Sequence, residues 1–137
     1  MGLGINAATN AQAQRLSTYG YGYIGALKGA NFNSTADQAI PILVSGRYNV
    51  DFITVVFASG APAAAVGGVY NATAKGGTAI LPAATAFATL TGATKFLQTT
   101  ITADLQTGVS TLYLSLTTPA GAAATCDVYI FGTTYDY

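Results

Sequence analysis

The 137-residue sequence contains no histidine, no glutamate and no tryptophan, and a single cysteine. Each absence removes a class of chemistry. Without histidine the chain lacks the usual proton shuttle and the commonest metal ligand, which excludes an ordinary serine triad. Cys126 has no histidine to activate it as a nucleophile, and a lone cysteine forms no intrachain disulfide. Its neighbours Thr125 and Val128 suggest a thiol buried in a strand. A glycosidase pair would need two carboxylates flanking a cleft, and Asp37, Asp51, Asp104, Asp127 and Asp136 lie in no run with one another. Nor do they cluster as a calcium loop would require. Asp37, in the stretch Asn33-Ser34-Thr35-Ala36-Asp37, has the setting of a turn whose side chains bond the backbone. The residues therefore offer no catalytic, cofactor or metal site, and the expectation is a protein that is not an enzyme.

Charge is the next scarcity. Charged residues make up 7% of the chain, against roughly 25% in an average soluble domain. The five cations Arg15, Lys28, Arg47, Lys75 and Lys95 are scattered and balanced by five aspartates, leaving a formal net charge of zero. That distribution carries no electrostatic footprint for nucleic acid or an anionic membrane. No apolar run approaches the roughly 20 residues of a membrane-spanning helix. The first residues lack the basic and apolar regions of a secretory signal, and Asn6 stands where a myristoylation motif wants Ser or Thr. Hydrophobic residues nonetheless make up 51% of the chain. So little charge gives copies little to hold them apart, which implies that much of the surface is covered in the working state. The plainer alternative is that Ala, Gly and Thr dilute the charge of an ordinary domain.

From residue 38 onward the sequence is rich in Val, Ile, Thr, Tyr and Phe, in pieces separated by turn residues. Strands are expected over 38–45, 48–59, 66–72, 78–81, 95–102, 110–117 and 125–132. Turns fall at Ser45-Gly46-Arg47, Lys75-Gly76-Gly77, Gly108 and Thr118-Pro119-Ala120-Gly121. This spacing indicates an all-β sandwich or closed barrel. Leu112, Leu114 and Leu116 alternate with Thr111, Tyr113 and Ser115 and so mark a core face. Cys126, Val128 and Ile130 share a face in the last strand, which leaves Asp127, Tyr129 and Phe131 on the other. Tyr48, Val50 and Phe52 oppose Ile53, Val55 and Phe57, so this strand is either apolar on both faces or bulged near Phe52. Strands with two apolar faces imply a second covering layer. The Ala- and Thr-rich stretches 58–65 and 83–93 read as loops.

Residues 1–36 read as an arm, with the sandwich occupying 37–137. The arm is short of large aliphatic residues and centres on Tyr19-Gly20-Tyr21-Gly22-Tyr23-Ile24-Gly25. Its glycines weaken both helix and strand, while its tyrosines suit an interface. A G-x-G-x-x-G pattern spans Gly20 to Gly25, but no strand precedes it and no helix follows, so the nucleotide reading fails. The acceptor patterns at Asn33 and Asn71 are what chance yields in a Thr-rich chain. The candidate interface anchors are Tyr19, Tyr21, Tyr23, Tyr129, Phe131, Tyr135 and Tyr137.

The segment GGVYNATAKGGTAIL (67–81), with TKFLQTTIT (94–102) and TLYLSLTTPAGAAATCDVYIFG (111–132), resembles the head cement and decoration proteins of tailed bacteriophages. The likeness runs from about residue 31 to 132. It implies a jelly-roll-like antiparallel β-sandwich with an extended N-terminal arm, on the outer surface of the virion capsid. There it would associate with itself, as a dimer in preference to a trimer, and clamp neighbouring major-capsid subunits. The family brings no catalytic residue, cofactor or metal. An alternative of a different class is a receptor- or glycan-binding module of a head or tail fibre, for which Tyr48, Asn49 and Asp51 would be the platform.

Overall fold

Alternating side chains sort the chain into two antiparallel sheets, packed face to face in a computed structural model that describes residues 21–91, 93–99, 101 and 105–135. The larger sheet holds β1 (Tyr21–Asn31), β9 (Thr125–Thr134) and β3 (Arg47–Val56) in that order. Two short strands, β6 (Phe96–Thr99) and β7 (Leu105–Thr107), pair with successive lengths of the far edge of β3. The smaller sheet runs β2 (Gln38–Pro41), β8 (Thr111–Thr118), β4 (Val66–Tyr70), β5 (Ala79–Ala86). The fold is therefore an all-β antiparallel sandwich.

Between the sheets lies one apolar core. Leu112, Leu114 and Leu116 of β8 and Cys126, Val128 and Ile130 of β9 are all buried in it, as period two requires. Phe32 and Phe87, each just beyond a strand end, meet edge to face with ring centroids 5.0 Å apart. Phe32 is tied in further by its N–H to the Ala124 carbonyl, and its own carbonyl accepts from Ala120. On one flank the N–H of Leu43 donates to the Ile24 carbonyl, so the chain leaving β2 closes against β1.

The structure departs from the sequence reading in three places and decides between its two options in a fourth. First, residues 21–36 of the expected arm belong to the sandwich: β1 pairs with β9 along its length, and Ile24, Ala30 and Phe32 enter the core. Register shifts between Tyr23 and Gly25 and between Leu27 and Ala30 break strict alternation, which hides the strand from a period-two count. Residues 1–20, the rest of that arm, lie outside the described residues. Second, β5 continues through Ala86, into the stretch expected as loop. Its register advances from Leu81 to Thr85 while β4 moves only from Val69 to Gly67, so 82–84 arch over the neighbouring strand. Gly68 makes the arch possible, since a Cβ there would lie 2.5 Å from the Leu81 carbonyl oxygen. Third, the three-residue β7 is too short to stand out in sequence. Fourth, of the two options for β3 the bulge holds. The register shifts between Val50 and Phe52, so Tyr48, Val50, Ile53 and Val55 point inward and Phe52 outward. Just beyond β3, the Phe57 N–H donates to the Lys95 carbonyl, and its φ of 56° lies in the left-handed region.

Candidate functional site

The outward face of the larger sheet is built on β9. Its inward residues Cys126, Val128, Ile130, Gly132 and Thr134 are buried, so Asp127, Tyr129, Phe131 and Thr133 face out and are half-buried. Register then decides their neighbours. Phe131 lies opposite Tyr23 of β1 on one side and Phe52 of β3 on the other. The Phe52 and Phe131 rings stack, with centroids 4.9 Å apart and planes 16° from parallel. Tyr23 meets Phe131 at 6.4 Å nearly edge-on, and Tyr129 at 5.9 Å with a 50° tilt. A line of rings thus crosses three strands at one level, with Tyr129 beside it. Such pairs contribute about 0.5–1.5 kcal/mol each beyond the area they bury.

Tyr129 has room to lie over because its cross-strand neighbours, Ala26 and Thr54, are small. The apolar surface continues outward from this line. Phe96, opposite Val56, is 57% exposed, and Leu105, opposite Asn49, is 54% exposed. Tyr23 itself is 48% exposed. A sandwich with a solvated outer face carries mainly polar residues there, and here aromatic rings take part of that place.

Several polar groups on this face bond within the chain. Asp51, the extra residue of the β3 bulge, accepts from the Thr133 hydroxyl at 2.7 Å, and Asp127 accepts from the Gly29 N–H at 2.8 Å. The Asn49 side-chain amide donates to the Tyr135 hydroxyl at 2.9 Å. Arg47, Asn49, Leu105 and Tyr135 together line an open depression of about 460 Å³.

Of the residues named from sequence, Tyr23, Tyr129 and Phe131 come together in the ring line and its flank. Tyr135 stands apart, at the depression. Tyr21 pairs by its backbone with Thr133, while Tyr19 and Tyr137 lie outside the described residues. Sequence reasoning missed Phe52, Phe96 and Leu105. The bulge it entertained at Phe52 was the available signal for that residue, whereas the short strands gave none for the other two.

The structure also removes Tyr48 from the glycan platform. It is fully buried, its hydroxyl donates to the Val109 carbonyl at 2.9 Å, and burial pushes its phenol up to about 12. Cys126 is buried too, and its thiol is raised to about 11, first by desolvation and then by the neighbouring Asp127. Such a thiol stays protonated and unreactive near neutral pH. Among the described residues no three of His, Cys, Asp and Glu come together as a metal site would need.

Compared with protein-family models, with curated proteins and with solved structures, the chain matches none.

Proposed function

We propose that this chain is a non-enzymatic virion structural protein that decorates a tailed-phage capsid and cements neighbouring major-capsid subunits. The observation that carries the reading is the ring line Tyr23–Phe131–Phe52 on the outward face of a sheet whose inward face already fills the core. One exposed and two half-buried rings in a chain with 7% charged residues are best satisfied by burial against protein. Strand order supports the reading as well. β1-β9-β3-β6 and β2-β8-β4-β5, with the chain changing sheets at most connections, is the pattern we take as a jelly roll. Cementing asks only for buried area and repetition. A standard interface buries roughly 1,600 Å² in total, and symmetry multiplies modest contacts into avidity.

The test is quantitative mass spectrometry of purified particles, together with heat challenge of heads that lack the protein. The chain is expected in fixed stoichiometry to the major shell protein, with heads that open at lower temperature in its absence. Its presence in host extract but never in particles would overturn the proposal. One observation favours the receptor- or glycan-binding alternative: the exposed Tyr135 beside Asn49 and Arg47 at the depression. Labelled protein found on tails instead of shells would decide for it.

A further inference from the structure

We infer that Phe57 is a second contact point, an aromatic anchor that enters an apolar socket on a shell subunit beside the one met by the ring line. The inference rests on the cement reading, because a protein that joins neighbouring subunits needs two contacts that do not coincide.

Alternation along β3 would put Phe57 on the core side with Ile53 and Val55, both of which are buried. The chain instead turns left-handed at Phe57, with a φ of 56°, and its ring is 66% exposed. A bulky side chain is disfavoured in that region, whereas glycine adopts it freely and asparagine readily. Either would make the same turn with less strain and would suit water better than a phenyl ring. Ala74 and Lys75 share the left-handed region, but they belong to a hairpin turn that Asp37 fastens. Strain held at an exposed apolar residue points to a side chain kept for what it touches.

The ring also stands on a fixed base. The Phe57 N–H donates to the Lys95 carbonyl at 3.0 Å, and Ala58 is buried. The Ser59 N–H donates to the Thr125 carbonyl, and the Ser59 hydroxyl accepts from the Thr125 N–H, both at 2.9 Å. Backbone on either side of Phe57 is thus set before a partner arrives, which lowers the ordering that binding requires. The surroundings select the kind of partner. Val56 and Ala58 flank the ring in sequence, and Phe96 pairs with Val56. A glycan site places polar groups around its aromatic platform, and a lipid surface asks for a wide apolar face edged with cations. A single rigid ring among apolar neighbours suits a socket on a protein. Five positions separate Phe57 from Phe52, about 17 Å along a strand, so the anchor and the ring line engage different places.

Decoration of purified particles that lack the protein tests the inference on the full chain, with urea denaturation of each free variant alongside. Phe57→Asn suits both the left-handed backbone and water. It is expected to unfold at the wild-type midpoint or above it, and to bind particles about tenfold more weakly or worse. Leu43→Ala removes a side chain that is 65% exposed on the flank and should change neither. Photo-cross-linking through p-benzoylphenylalanine at position 57 should join the chain to the major shell protein. A lower midpoint for Phe57→Asn would show that the ring serves its own fold, and would overturn the inference. So would equal weakening by Leu43→Ala, or adducts confined to a second copy of the chain. Wild-type affinity in Phe57→Asn sinks this inference alone. A wild type that never joins particles sinks the cement reading and this inference with it.

Discussion

Gly132 is the most closely hemmed glycine of the larger sheet. It pairs with Gly22 of β1 on one side and with Val50 of β3 on the other. A Cβ at Gly132 would run into the Asn49 carbonyl oxygen and lie 2.8 Å from Cδ1 of Ile24. The β3 backbone at Asn49 would have to yield while the Ile24 side chain turned aside, and the ring line next to Gly132 would shift with β3. Gly132→Ala is therefore expected to lower unfolding stability by about 1–3 kcal/mol, the range for overpacking. Gly22→Ala is the control, since its methyl would meet nothing within 4 Å. Urea denaturation should show a lower midpoint for the first and little change for the second. Equal midpoints would mean that the sheet relaxes around residue 132 without strain.

At the scale of elements, the β4–β5 hairpin shows how distant parts hold a local turn. Ala74 and Lys75 both have φ of 57° and Gly77 has 66°, so three turn residues occupy the left-handed region. Asn71 fastens the base: its side-chain oxygen accepts from the Thr78 N–H, and its amide donates to Gln106 of β7. Asp37, at the approach to β2, accepts from the Ala74 N–H at 2.6 Å. That bond holds the Asp37 carboxyl below its ordinary value of 3.8; the nearby Ser115 hydroxyl and the Lys75 charge act in the same direction. The sign follows from the depressed native value. Asp37 stabilises the fold above the unfolded carboxylate range, near pH 4, and this contribution fades as pH falls through its native value. In thermal melts at pH 6 the wild type should exceed Asp37→Asn, and the gap should narrow below pH 4. A gap independent of pH would show that the carboxylate charge is irrelevant to the turn.

These elements also mark what could be read from residues alone. The strands of 38–134 were legible where Val, Ile, Thr and Leu alternate, and β8 is the clearest case, with Leu112, Leu114 and Leu116 all buried. β1 was not, because its two register shifts take Ile24, Leu27 and Ala30 off a single period and glycine dilutes the rest. Asp37 was legible as a turn residue that bonds backbone. Its partner 37 positions away was not, since only the folded chain brings Ala74 to it. Asn71, which looked like a chance glycosylation pattern, proves to be the fastening of a hairpin. At the candidate site, Tyr129 and Phe131 announce an apolar outer face by alternation. Their assembly with Tyr23 and Phe52 depends on registers between three strands, which no local pattern encodes.

In the whole molecule, composition and architecture meet. A chain with so few charges places Asp37, Asp51 and Asp127 against its own hydroxyl and backbone amides, and leaves rings on the outside of the larger sheet. The central claim is that this face is buried in the working assembly. Hydroxyl-radical footprinting of the assembled protein, read by mass spectrometry at Tyr23, Tyr129 and Phe131, tests it most directly, with the exposed flank residue Leu43 as internal reference. The account predicts that the three aromatic residues are protected in the assembly and become reactive when it is dissociated without unfolding. Equal reactivity in the assembled and dissociated states, with Leu43 unchanged, would contradict it.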